Sequence, residues 1–106
     1  MTGPVLAAAL SAVLAASAGS GAPPDARAAH GAQLAERCAG CHATGTAGAS
    51  RNAGAPPFRS LARRNPIALE QVLGRISRFG HYGMRPMSLS DSDAADIAAY
   101  IASLDR

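Results

Sequence analysis

The sequence predicts an all-α fold of three to four short helices, and three observations carry that expectation. No segment shows the apolar/polar alternation of a half-buried strand. Two helix starts are plainly written, Asn65-Pro66 and Ser90-Asp91-Ser92-Asp93, each followed by apolar residues at helical spacing. Runs rich in Gly, Pro and Ala separate the helical stretches.

Taken in order, the chain opens with an apolar, alanine-rich run from Val5 to Ala18. Ala16-Ser17-Ala18 matches an A-x-A processing site, so residues 1–18 read as a secretory signal peptide cleaved before Gly19. The run is shorter than the roughly 20 apolar residues that span a bilayer. Its leading residues carry no Lys or Arg, so an uncleaved segment that keeps the protein at the membrane is the alternative. Residues 19–24 are Gly- and Pro-rich and read as a flexible linker. Residues 25–106 then form one domain of roughly 80 residues.

Within that domain Asp25 is expected to cap a first helix running to about Arg37, with Ala28, Ala29, Ala32, Leu34 and Ala35 as a weak apolar face. Gly31 lies inside it at a cost of about 1 kcal/mol relative to Ala, which suggests that another helix crosses there. Ala43 to Pro57 is a loop, and Phe58 to Arg64 a short helical turn with Phe58, Leu61 and Ala62 inward. Asn65 caps a helix with Pro66 at its first position, and Ile67, Leu69, Val72, Leu73 and Ile76 form its stripe to about Arg78. Gly80 suits its end. A second loop, Phe79 to Leu89, carries Met84, Pro86 and Met87. Ser90 with Asp93 resembles a capping box, and Ile97, Tyr100, Ile101 and Leu104 make the buried face of the last helix.

So small a domain is marginal on hydrophobic burial alone. This one has no Trp, and its aromatics are Phe58, Phe79, Tyr82 and Tyr100. It needs a staple. All ten cationic side chains are Arg. Arg51, Arg59, Arg63, Arg64, Arg75, Arg78 and Arg85 fall in one stretch whose only acid is Glu70, while Asp91, Asp93, Asp96 and Asp105 crowd the last segment. That asymmetry fits either a positive face steering toward an acidic partner or an ordinary solvated surface. No basic helix with aromatic stacking residues accompanies the charge, which speaks against nucleic acid.

Cys38-Ala39-Gly40-Cys41-His42 is the chemical centre of the sequence, and it holds both cysteines of the chain. A C-x-x-C-H run reads as covalent haem attachment: two thiols three residues apart can each add to a haem vinyl group, and the adjacent histidine can donate a ring nitrogen to the iron. The same residues could instead serve a thioredoxin-like redox pair, which expects a βαβ context, or a zinc site, which usually needs four protein ligands. A buried haem would also be the missing staple, so the haem-free chain is expected to be largely unfolded.

The order of parts resembles the class I c-type cytochromes in their small bacterial single-haem form. The matching stretches are GAQLAERCAGCH, APPFRSLARR, GHYGMRPMSLS and DAADIAAYIASL, together covering the chain from about Asp25 onward. The resemblance implies the cytochrome c fold, its helices wrapped around one covalently bound haem c. It implies thioether bonds at Cys38 and Cys41, His42 as proximal iron ligand, and the Pro56 carbonyl as acceptor for the other ring nitrogen of that histidine. It implies that the first and last helices cross at Gly31 and Leu34 against Ile97, Tyr100 and Ile101. In the family the distal methionine usually stands five residues before the apolar residue that introduces the last helix, a spacing that Met84 and Leu89 share. Arg85 intervenes where the family tends to place Pro, and Met87 is the alternative ligand. His81 and His30 compete for the iron in principle, but His81 stands too close to Met84 for both to point at the metal and reads as a surface residue near the haem mouth, and His30 reads as an exposed helix residue. Tyr82, Arg51 and Arg59 could reach the haem propionates.

The function that follows is electron transport by a monomeric periplasmic carrier with His42 and Met84 as axial ligands. It would dock transiently on acidic redox proteins or membrane respiratory complexes. No catalytic constellation is visible, so an enzyme is not expected. The rival readings are a fixed haem subunit of a dehydrogenase or oxidase complex, and a haem protein with an open sixth site that binds gas or peroxide.

Overall fold

A computed structural model of the chain describes Gly3 and residues 24–105. The leader expected over 1–18 and the linker over 19–24 therefore lie, apart from Gly3 and Pro24, outside the described residues. Helix α1 spans Pro24–Ala35 and runs into a 3-10 turn, Glu36–Cys38. Helix α2 is Phe58–Leu61, α3 is Pro66–Phe79 and α4 is Asp91–Ser103. Among the described residues there is no strand, and one isolated antiparallel bridge joins His81 to Met84.

Local signals account for most of the helix ends. At α3 the Asn65 side chain accepts from the N–H of Ile67 at 2.8 Å and of Ala68 at 3.4 Å, with Pro66 at the first position. Its far end is Gly80 at φ 81°, a left-handed conformation that glycine enters without steric cost. At α4 the capping box is complete: Ser90 Oγ accepts from the Asp93 N–H at 3.0 Å, and the Asp93 carboxylate accepts from the Ser90 N–H at 3.2 Å. Helix α1 departs from expectation. Pro24 and Asp25 are already helical, so Asp25 lies within the first described turn, where its charge suits the helix dipole, rather than at the cap.

The core is the crossing of α1 and α4, with α3 laid against α4. Ala35, Ile97, Ala98 and Ile101 are nearly inaccessible. Gly31 makes the crossing possible: a Cβ at that position would overlap the Asp96 carbonyl and fall 2.8 Å from the Tyr100 Cβ. The mid-helix glycine is thus a packing residue, as the sequence suggested. On its solvent side the same crossing carries a hydrogen bond between His30 Nδ1 and Asp96 Oδ2 at 2.7 Å. Leu69 and Leu73 of α3 share one buried cluster with Ala94, Ile97 and Ile101 of α4, and Phe58 and Ala62 belong to it too.

The stripe predicted on α3 is only half buried within the polypeptide. Leu69 and Leu73 are covered, whereas Val72 is 44% exposed and Ile67 is 65% exposed. Phe79 at the end of α3 is 76% exposed. The reason is geometric: α4 covers one flank of α3, and residues about 100° away around the helix fall outside the contact. The described chain thus presents apolar surface that its own helices do not cover.

Candidate haem site

The attachment run is built on a continuing helical path. After Cys38 the backbone makes a Cys41 N–H to Cys38 carbonyl bond at 3.2 Å and a His42 N–H to Cys38 carbonyl bond at 2.9 Å. An i, i+3, i+4 arrangement on a helical turn puts Cys38, Cys41 and His42 on one face. Cys38 is half-buried and Cys41 exposed, and no disulfide joins them. Burial pushes the Cys38 thiol up, against a smaller downward pull from the Arg37 charge. Among the described residues no three His, Cys, Asp or Glu side chains gather as metal ligands, so the zinc reading lacks its remaining donors.

The loop that follows is closed on itself. The Ala43 N–H donates to Ser50 Oγ at 3.0 Å, the Asn52 N–H to the Cys41 carbonyl at 3.0 Å, and the Phe58 N–H to the Ala43 carbonyl at 2.8 Å. Tyr100 Oη donates to the Thr44 carbonyl and so ties the loop to α4. This closure returns Pro56 to the motif: His42 Nδ1 stands 2.6 Å from the Pro56 carbonyl oxygen. A carbonyl only accepts, so Nδ1 carries the proton and Nε2 is left with its lone pair. The buried Phe58 ring lies 5.2 Å from the imidazole and restrains it sideways. Such an outer bond fixes the tautomer and direction of a ligating histidine.

The methionine loop leaves α3 at Gly80, where a Cβ would meet the Met84 carbonyl oxygen at 2.6 Å. His81 and Met84 then exchange backbone bonds, the Met84 N–H to the His81 carbonyl at 2.9 Å and the His81 N–H to the Met84 carbonyl at 3.3 Å. Ser77 of α3 holds the far end of the loop, since its hydroxyl donates to the Met87 carbonyl at 2.6 Å and accepts from the Leu89 N–H at 3.0 Å. Met84 and Met87 are both half-buried. The sequence reading gave Ser77 no role. Nothing local distinguishes it from a surface serine; only the return of the loop onto α3 does.

The sequence reading also left His81 at the surface. In the fold it is half-buried, and its ring centre lies 6.3 Å from that of His42 with the two planes 15° apart. The other expected surface histidine, His30, is exposed and paired with Asp96 on the α1–α4 crossing. Of the three residues suggested for haem carboxylates, Tyr82 is 97% exposed and Arg51 is exposed. Arg59 differs: its Nη1 is buried and has no hydrogen-bond partner. An orphaned guanidinium nitrogen in the interior calls for an anionic acceptor.

These residues fit an iron porphyrin. Two cysteines share one face, an imidazole nitrogen is freed and oriented, one buried guanidinium nitrogen of Arg59 lacks a partner, and apolar side chains of α3 lack cover. A groove of about 780 Å³ between α3 and the start of α4, lined by Ile67, Glu70, Gly74, Arg78, Leu89 and Ala94, includes none of the motif residues.

Comparison with known proteins agrees with this chemistry. The family model described as "Cytochrome c" matches residues 28–105. The chain is 42% identical over 93 residues to a protein named cytochrome c-552 from Bradyrhizobium diazoefficiens, covering 87% of this chain and 88% of that one. No solved structure matches.

Proposed function

Since the chain belongs to the cytochrome c family, as a small class I member with one covalently bound haem c, we propose that it is a periplasmic electron carrier with His42 and Met84 as its axial ligands. Cys38 and Cys41 are the thioether anchors in this reading. The observation that carries it is the 2.6 Å contact of His42 Nδ1 with the Pro56 carbonyl, which leaves Nε2 as the donor atom. The haem supplies reversible storage of one electron, and everything else is the work of the polypeptide.

That work is to hold both donors still. His42 is fixed by Pro56 and flanked by Phe58. Met84 sits in a loop anchored at one end by the Gly80 turn and at the other by Ser77. Ligands that keep their places in both oxidation states keep the reorganisation small. A thioether donor is soft, which favours the reduced iron and raises the potential. The Arg59 nitrogen would offer a charge-assisted bond to a haem carboxylate.

Docking of redox partners is a general property of the family. The surface supports acidic partners here, because Arg51, Arg63, Arg64, Arg75, Arg78 and Arg85 are all exposed. Arg63 has a single loose ion pair, at 3.6 Å to Asp105. Weak contacts through such a surface suit a carrier that must release its partner. Export is proposed on the A-x-A leader, and no described helix is long and apolar enough to cross a membrane.

The test is production of the holoprotein in cells equipped for haem attachment, with intact mass and absorption spectra in both oxidation states. The expected result is one haem added to the chain, a low-spin spectrum, a near-infrared sulfur-to-iron band in the ferric form, and no carbon monoxide binding. A high-spin iron that binds carbon monoxide would replace the carrier with a gas- or peroxide-binding protein. Loss of the sulfur band in Met84→Ala, with its survival in Met87→Ala, selects between the two methionines.

A further inference from the structure

We propose that the groove between α3 and the start of α4 is a self-association surface, in which α3 of a second copy of this chain crosses antiparallel at Gly74. The carrier is then a weak dimer rather than the monomer expected from the sequence. The inference is independent of the axial-ligand reading, because it rests on a flank of α3 that none of the haem-binding residues lines.

Helix α3 has two bare flanks. At about 100° per residue, Val72 and Phe79 stand about 140–160° around the helix from Gly74. The groove takes the Gly74 flank, with Ile67, Glu70, Arg78, Leu89 and Ala94, and neither Cys38, Cys41, His42 nor Met84 belongs to its lining. A haem held by those residues does not fill it, and Ile67 is left 65% exposed.

Gly74 lies inside α3 as Gly31 lies inside α1. A glycine in a helix interior is unfavourable relative to alanine. At Gly31 the fold supplies the reason, since a Cβ would overlap the Asp96 carbonyl of α4. At Gly74 the fold supplies none: a Cβ there would meet no atom within 4 Å. The residue opens onto the groove with free space above it. What its small size admits is a helix from outside the chain, approaching as closely as α4 approaches Gly31.

Charge says which helix. Glu70 stands four residues before Gly74 and Arg78 four after, so the three share one ridge of α3. Neither charge has an ion-pair partner among the described residues. The Arg78 guanidinium rests over the Phe79 ring instead, 5.9 Å from its centre. An antiparallel copy of α3 centred on Gly74 reverses the order of the ridge. Glu70 then faces Arg78 of the second copy, and the two-fold axis makes the same pair again. A patch that complements itself is what a two-fold contact requires. Ile67, one turn beyond Glu70, gains cover from the apolar stem of the same arginine. Helix α3 has 14 residues and is about 21 Å long, which places the contact at the low end of specific interfaces. Association is therefore weak and depends on concentration.

The experiment is sedimentation equilibrium of the ferric holoprotein from micromolar to millimolar concentration, which should show reversible dimerisation. Glu70→Arg alone and Arg78→Glu alone should each weaken it by about ten-fold or more, because like charges then face each other. The double variant Glu70→Arg/Arg78→Glu should restore it. An equimolar mixture of the two single variants should form a heterodimer, since each then supplies the charges the other lacks. Gly74→Ala should melt at a higher temperature than wild type in dilute solution, where nothing in the chain opposes the methyl group, and yet dimerise less. Holoprotein that stays monomeric at millimolar concentration overturns the proposal and leaves Gly74 to a partner other than this chain. Association that the single charge reversals leave unchanged, or that mixing them does not rescue, puts the contact on another face and overturns it as well.

Discussion

Gly31 lies so close to α4 that a Cβ added there would stand 2.8 Å from the Cβ of Tyr100 and overlap the Asp96 carbonyl. The backbones of α1 and α4 meet at this point, and Ala35, Ile97, Ala98 and Ile101 pack around it. Gly31→Ala should gain about 1 kcal/mol in helix propensity and lose more, because overpacking against a backbone carbonyl costs about 1–3 kcal/mol or above. A lowered midpoint in thermal denaturation of the holoprotein is expected. An unchanged or raised midpoint would show that the helices separate freely at this crossing.

Ser77→Ala should act on the distal loop without unfolding the domain. It removes the bonds to Met87 and Leu89 while leaving α3 and its contacts with α4 intact. Lost side-chain bonds of this kind cost about 1–3 kcal/mol when the partners stay unsatisfied. The variant should form holoprotein, and on warming its sulfur band should fade well below the temperature at which helical circular dichroism is lost. Coincident transitions, at wild-type temperature, would mean that Ser77 does not hold the loop.

Gly80→Ala should damage the same loop from its other end. The position has φ 81°, and a Cβ would stand 2.6 Å from the Met84 carbonyl oxygen and 3.3 Å from the Pro86 nitrogen. Positive φ penalises a Cβ by roughly 1–2 kcal/mol before any clash is counted. The expected readout is a weakened sulfur band at ambient temperature, with haem attachment at Cys38 and Cys41 unaffected.

Removal of the haem should cost the domain most of its helix. Nine hydrophobic residues make up the buried core among the described residues, four of them alanines, and domains of this size are marginal without a staple. A chain with both Cys38 and Cys41 changed to Ala, made without haem, should show little helical circular dichroism. A cooperative, native-like helical melt in that protein would refute the expectation.

The exposed arginines should show themselves in rates. Arg63→Glu, Arg75→Glu and Arg78→Glu combined should slow electron transfer to an acidic partner protein at low ionic strength, by ten-fold or more if steering is strong. The difference should shrink as salt rises toward the screening range of about 10 Å at 0.1 M. A salt-independent rate in the wild type would remove the steering argument.

The sequence by itself determined what depends on short-range chemistry. Asn65-Pro66, Gly80 and the Ser90/Asp93 box each act within one turn, and the structure has each of them at a helix end. The thiol pair and its histidine are legible because their spacing alone puts them on one face. Gly31 was legible as a crossing because a glycine inside a helix asks for a reason. Asp25 was read as the cap, whereas the helix already includes Pro24 and Asp25; both are good starts and local rules do not rank them.

Only the tertiary structure decided how the loops return. The 2.6 Å contact of His42 with Pro56 needs a closed loop between them, pinned through Ser50, Asn52 and Phe58. The grip of Ser77 on Met87 and Leu89 spans two elements. The approach of His81 to His42 joins residues far apart in the chain. Likewise the exposure of Ile67 and Val72 follows from which flank of α3 receives α4. Periodicity reports that a helix has an apolar side; which neighbour covers it, and which turn of loop arrives at a given carbonyl, is set by contacts whose partners the local sequence does not name.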